Sequence, residues 1–291
     1  MMFPTQLMAT HMGQRGSKLS PRLWSRPIEM LITPDGKAPG AFLFDDFDSF
    51  LPLTVTTAAA QLQPPNGYFA YIEADATVGR IGPRADTPSA IELLTSTDAA
   101  DGDNHQTSMG TCGNAGVLGM ISDTATAAKL LVCEFRFRLN SVANASGSIF
   151  LGLGEEGLGA AATPLADDTG HKLADKDLIG FTILEDNNDA LRFQYRKAGG
   201  AIQSVLTYGT DLAAGTWYNA GFIYDPGAPA SKRIKIFIDN VEQNTYVTGD
   251  NIAAATFPDG EELAMYASII GSANAAAQHF DLDFWAFYQA G

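Results

Sequence analysis

Cysteine is almost missing from this chain of 291 residues: Cys112 and Cys133 are the only two, and neither lies in a Cys-x-x-Cys or Cys/His spacing. That excludes a disulfide framework and a zinc centre, and leaves two thiols expected to be buried. Charge is also scarce, at 18% of residues, below the usual quarter. Histidine occurs four times, as His11, His105, His171 and His279, and no Gly-x-Ser-x-Gly motif is present to seat a nucleophilic serine. No apolar run reaches the ~18 residues of a membrane span. Pro4, Gln6, His11, Gln14 and Arg15 interrupt the short apolar runs near the start, so a secretory signal is not expected. No repeat of fixed period recurs, which argues against a propeller or solenoid.

What is present is acidic. The net charge is −15, which disfavours direct contact with nucleic acid or with an anionic membrane. The first forty residues run against that balance, with Arg15, Lys18, Arg22, Arg26 and Lys37 facing only Glu29 and Asp35. Prolines at 4, 21, 27, 34 and 39 break any periodicity there, so residues 1–40 are expected to form an extended arm ahead of a domain spanning 41–291. The arm reads either as a solvating tail or as a segment lying on a partner. Trp24, Ile28, Met30, Leu31 and Ile32 are too apolar for a purely solvating tail.

Beyond residue 41 strand follows strand. "VCEFRFRL" places Val132, Glu134, Arg136 and Arg138 on one face and Cys133, Phe135, Phe137 and Leu139 on the other. "SIFLGLG", "DLIGFTILED", "LRFQYRKAG", "TWYNAGFIYD", "KRIKIFIDN", "LAMYASII" and "FDLDFWAFYQ" follow at short spacings, bounded by Gly, Pro, Asn or Asp. No convincing helical stripe separates them, so an all-β antiparallel sandwich is favoured over a parallel α/β fold. "STDAADGDNHQTSMGTCGNAG" is expected to be a long polar loop. Ile234, Ile236 and Ile238 are expected to face inward, with Asp239-Asn240 making a tight turn and Trp217 closing one end of the core.

The pairing of "GTWYNAGFIYD" with "KRIKIFIDNVEQ", together with the late strand "FDLDFWAFYQ", resembles the concanavalin A-like superfamily of lectins and glucanases, a jelly roll. The residues carrying the resemblance are Trp217, Phe222, Tyr224, Ile236, Ile238, Asp239 and Asn240. It covers about residues 130–291, with 41–75 supplying early strands.

The resemblance implies chemistry that can be sought residue by residue. Glucanases of the superfamily carry a Glu-x-Asp-x-x-Glu strand, because a retaining hydrolase needs two carboxyls about 5 Å apart. Glu73/Asp75 lacks the third acid, and Glu155/Glu156 are adjacent and so point to opposite faces. Asp281 and Asp283 are expected to share a face with Trp285, which makes the two acids the best carboxylate pair and Asp281, Asp283 and Trp285 the candidate carbohydrate contacts. The related polysaccharide lyases use a Gln-x-His, which Gln278-His279 reverses without the spacer. Calcium is a candidate ligand at Asp98, Asp101, Asp103 and Asn104, or at Asp186, Asn187 and Asp189, since these supply hard oxygen donors; ordinary turn chemistry explains the same residues.

With no catalytic residues identified, the expected function is that of a non-enzymatic virion structural protein, decorating or cementing a capsid or associated with a tail. It would be made in the host cytoplasm, would be homo-oligomeric, and would contact other virion proteins, the major capsid protein among them, through Arg15, Lys18, Arg22, Trp24 and Arg26. A glycan-binding lectin is the alternative, and a glycoside hydrolase or lyase is a weaker third.

Overall fold

The computed structural model describes residues 19–25, 40–48, 53–55, 60–62, 68–72, 79–84, 87–95, 103–111, 118–124, 127–143, 147–156, 158, 163–166, 172–185, 187–272 and 278–291. Two antiparallel sheets pack face to face. Along the first run β17 (Val241–Val247), β16 (Ile234–Ile238), β15 (Trp217–Tyr224), β8 (Leu131–Leu139), β19 (His279–Ala290), β6 (Thr87–Leu94), β5 (Gly79–Arg84) and β2 (Leu53–Val55). β1 (Gly40–Asp45) also pairs with β19. The second holds β14 (Gln203–Thr207), β13 (Asn187–Arg196), β12 (Leu178–Leu184), β9 (Ser148–Glu155), β18 (Leu263–Ser272), β7 (Asp103–Gly110), β4 (Phe69–Ile72) and β3 (Ala60–Leu62). A small hairpin, β10 (Leu165–Ala166) with β11 (Lys172–Leu173), stands apart.

The alternation read from the sequence builds the inner layer. Leu131, Cys133, Phe135, Phe137 and Leu139 from β8 meet Ile149, Leu151 and Leu153 from β9 and Ile179, Phe181 and Ile183 from β12 in one apolar core. Ile234, Ile236 and Ile238 join it, and Asp239 and Asn240 take φ of 48° and 64°, the paired left-handed conformation of a two-residue hairpin turn. Cys133 is fully buried, and burial pushes its thiol well up; Cys112 lies outside the described residues.

Three expectations are corrected. Residues 103–110 are not loop but strand β7, between β18 and β4. Three of its polar side chains find partners: Gln106 Nε2 donates to the Leu165 carbonyl at 2.8 Å, Thr107 Oγ1 to the Leu94 carbonyl at 2.8 Å, and Ser108 meets Ser268 at 2.6 Å, while Gln106 Oε1 is buried without one. Tertiary pairing thus overrides a polar composition.

Trp217 does not close the core. It lies on the outer side of the first sheet, with the guanidinium carbons of Arg136 and Arg138 5.2 and 4.8 Å from its ring centroid.

Trp285 is the third. Against β8, Leu282 stands opposite Phe137 and Phe284 opposite Arg136, so Asp283 is an extra residue in β19, a β-bulge. Side-chain parity inverts there. Asp281 and Asp283 face outward, while Trp285 turns inward to pack on Phe47 and Tyr68. The two tryptophans therefore separate in a denaturation experiment. Trp285→Ala is expected to lower unfolding free energy by about 3–5 kcal/mol, and Trp217→Ala by about 1 kcal/mol or less, both read from urea midpoints.

Candidate functional site

The outer face of the first sheet is divided at the Asp283 bulge. On one side of it the outward residues of β19, β8 and β15 are apolar except for Glu134 of β8 and its neighbour Asn219 of β15. Val132, Ile223, Phe284, Ala286 and Tyr288, with Phe237 of β16, form a buried outer cluster. Such a surface needs a cover, and residues 19–25 provide it. Leu19, Leu23 and Trp24 pack into this cluster, with the Trp24 ring edge-on to Phe42 at 6.0 Å. Gly221 makes the close approach feasible, because a Cβ there would stand 2.5 Å from Leu23 Cδ2.

Under this segment lies Glu134, fully buried on the outward side of β8. Its carboxylate accepts from Ser20 Oγ at 2.5 Å, from the Ser20 backbone N–H at 3.2 Å to each oxygen, from Trp24 Nε1 at 2.6 Å and from Asn219 Nδ2 at 3.2 Å. Burial pushes the Glu134 carboxyl up, and the donors from Ser20, Trp24 and Asn219 pull the other way. A carboxylate removed from water in this way requires those donors.

On the other side of the bulge the face is charged. Asp281 of β19 stands directly across from Glu92 of β6. Arg138 reaches Asp281 Oδ2 through Nε at 2.8 Å and Nη2 at 2.6 Å, and Arg136 Nη1 reaches Asp283 Oδ2 at 2.6 Å. From β5, Arg80 pairs with Glu92. Arg84 Nη1 lies at the centre, 3.0 Å from Asp281 Oδ1, 3.1 Å from Glu92 Oε2 and 2.5 Å from His279 Nε2.

Since the guanidinium can only donate, His279 Nε2 accepts, which fixes a neutral ring with its proton on Nδ1. Burial lowers the His279 pKa; Arg84 and Arg138 lower it further, while Glu92 and Asp281 act in the opposite sense.

The donor atoms of Glu92, His279 and Asp281 lie within 4.8 Å of one another, close enough to hold a metal ion. Arg84 already fills that position. A guanidinium bonded to all three leaves them serving an internal cation, and a divalent ion beside it would meet like charge. The same spacing approaches the two-carboxyl separation of a retaining hydrolase, yet both Glu92 and Asp281 are bound by two arginines each.

Of the residues picked out by sequence, Asp281 and Asp283 come together in this cluster, without Trp285. Trp24 is buried against its own sheet rather than displayed, so the extended-arm expectation for residues 1–40 is corrected at 19–25, where 21–25 form a helical turn. Arg22 is exposed beside it, its backbone N–H donating to Asn240 Oδ1 at 2.9 Å. Arg15, Lys18 and Arg26 lie outside the described residues, as do Asp98, Asp101 and Asp186. The backbones of Asp103 and Asn104 belong to β7, and those of Asn187 and Asp189 to β13. Glu155 of β9 accepts from Lys176 Nζ at 2.8 Å and from the Asp177 N–H at 2.9 Å. Glu73/Asp75 falls outside the described residues.

Ser20, Arg80, Arg84 and Glu92 escaped the sequence reading. The outward run Glu134, Arg136, Arg138 was the available signal, because three charged residues on one strand face demand partners.

The outer face of the second sheet is covered as well. Phe150, Leu178, Leu184, Ala264, Tyr266 and Ile270 are buried there with Leu165 and Leu173 of the β10–β11 hairpin.

No protein-family model matches this chain. No curated protein matches it either. Among solved structures, the chain is similar to peanut lectin, with a TM-score of 0.50 and 15% identity over 82% of this chain and 97% of the lectin. It is also similar to a prokaryotic β-1,3-1,4-glucanase (lichenase) from a mouse hindgut metagenome, with a TM-score of 0.49 and 12% identity over 85% and 98% of the two chains. The carbohydrate recognition domain of Emp47p gives a TM-score of 0.48 and 14% identity over 82% and 95%.

His279 offers a direct test of the cluster. Removing the Arg84 charge by Arg84→Ala leaves Glu92 and Asp281 facing the ring, so the His279 pKa is expected to rise, followed by ring-proton NMR. The variant should also lose roughly 1–3 kcal/mol of stability from donors withdrawn from buried acceptors. In the native chain, a His279 pKa held below the usual 6.5 means that the unfolded state takes up a proton the folded state refuses. Its contribution to stability is therefore present in full above about pH 6.5 and is lost as the pH falls below that value through the lowered folded-state pKa. His279→Gln is expected to flatten this part of the stability profile.

The likeness to peanut lectin and the two packed antiparallel sheets establish a jelly-roll β-sandwich, the fold of that lectin, as the fold of this chain.

Proposed function

We propose that this chain is a non-enzymatic protein that works by surface contact, as a structural or decorating subunit of a virion, on its capsid or its tail. One observation carries the non-enzymatic part. The best carboxylate cluster, Glu92, Asp281 and Asp283, is neutralised throughout by Arg80, Arg84, Arg136 and Arg138 at hydrogen-bonding distance. A general acid needs a proton to give, and a nucleophile needs an accessible lone pair. Carboxylates clamped by guanidinium groups at this density supply neither. The virion setting draws support from the basic first forty residues on an acidic chain, a charge contrast suited to contacts between subunits such as the major capsid protein.

A second reading, glycan recognition, is favoured by Trp217. This half-buried aromatic stands on the outer face beside Arg136 and Arg138, and the side chains of both arginines keep 18–30% exposure. An aromatic ring flanked by planar donors suits a sugar face and its hydroxyls, and peanut lectin shares the fold.

Two assays test the reading. Incubating the chain with mixed-linkage β-glucan and with alginate is expected to release neither reducing ends nor unsaturated uronates; product lost in Glu92→Gln or Asp281→Asn would overturn the non-enzymatic assignment. Peptide mapping of gradient-purified particles is expected to find the chain at fixed stoichiometry, and its absence would remove the virion setting. Should a glycan array score positive, Trp217→Ala is expected to weaken binding at least tenfold, about 1.4 kcal/mol.

A further inference from the structure

The docking of residues 19–25 has the character of a receptor occupied by its own ligand. The ligand is compact: Leu19, Leu23 and Trp24 supply the apolar contacts, and Ser20 and Trp24 supply donors to Glu134. On the receptor side, Gly221 leaves space for Leu23, Glu134 awaits donors, and Asn240 accepts from the Arg22 backbone. Without the segment, a buried carboxylate and the outer apolar cluster would both be uncovered, so the site is incomplete without residues 19–25.

The connection is far longer than docking on the same chain requires. Trp24 touches Phe42 at a ring separation of 6.0 Å, yet residues 26–39 intervene before β1. Fully extended, those residues would span about 48 Å. A connection of that length is long enough to carry the segment to the groove of an adjacent copy.

We propose that the groove over Glu134 receives residues 19–25 from a second copy of this chain, so that neighbouring copies exchange these segments when held side by side. The proposal deepens the assembly reading given above and names its partner. In dilute solution the tether gives the chain's own segment an effective concentration on the order of millimolar, and self-docking wins. In an assembled layer the neighbouring segment is equally close, and exchange becomes competitive.

The decisive experiment removes self-docking and asks for complementation between full-length chains. One variant, Leu23→Asp/Trp24→Ala, keeps the groove and loses the ligand. The other, Glu134→Leu, keeps the ligand and loses the acceptor. Each alone is expected to have the mass of a single chain by light scattering, and their mixture is expected to form a one-to-one complex of twice that mass. A milder pair, Trp24→Ala with Glu134→Gln, serves if circular dichroism shows either first variant unfolded. A synthetic peptide of residues 17–27 should bind the Leu23→Asp/Trp24→Ala chain at least tenfold more tightly than the native chain, whose groove is filled.

A mixture that stays at single-chain mass, with no peptide binding, overturns segment exchange. That result leaves the non-enzymatic and virion assignments intact, because those rest on the polysaccharide and particle assays.

Discussion

The extra residue at Asp283 sets the layout of the outer face. Without it, strict alternation along β19 would put Trp285 and Phe287 on the outward side with Asp281 and Asp283, and turn Phe284, Ala286 and Tyr288 inward. With it, the outward side changes from acidic to apolar within one residue: Asp281 and Asp283 before, then Phe284, Ala286 and Tyr288. The two halves then require different covers. The acidic half is met by arginines from β5 and β8, and the apolar half by residues 19–25.

Both covers obey the same rule about buried charge. Glu134, Asp281 and Asp283 have almost no exposure, and each is matched by donors in place. Networks of this kind contribute little net stability, because desolvation offsets most of the Coulomb attraction, yet they penalise any arrangement that leaves a member unmatched. Their effect is on specificity. Arg84 holds β5 against β6 and β19 through Glu92, His279 and Asp281, and Glu134 ties the segment at 19–25 to β8. The charged half of this face is thus committed to its own pairings among the described residues.

Much of the sandwich was legible. The β8 alternation, the inward isoleucines of β16 and the Asp239-Asn240 turn are local patterns with one physical solution each. The failures share a different cause, which is pairing between distant parts of the chain. The bulge at Asp283 exists only because β8 and β19 align, so the position of Trp285 could not be read from β19 alone. Gln106 and Ser108 look like loop residues until Leu165 and Ser268 bond to them. Glu92 is an ordinary outward acid until Asp281 arrives opposite it. Trp24 was visible as an apolar residue in need of a surface, but nothing in residues 1–40 says that the surface belongs to its own sheet.

The central claim is that Trp24 is held by a buried Glu134, and the indole N–H reports on it directly. The chain has three tryptophans, so three indole signals can be assigned by substitution. The account predicts that the Trp24 indole proton exchanges with solvent only on opening of the outer cluster, slowed by orders of magnitude, and that Glu134→Leu releases it. Exchange of the Trp24 indole at the rate of an unstructured peptide in the native chain would contradict the account.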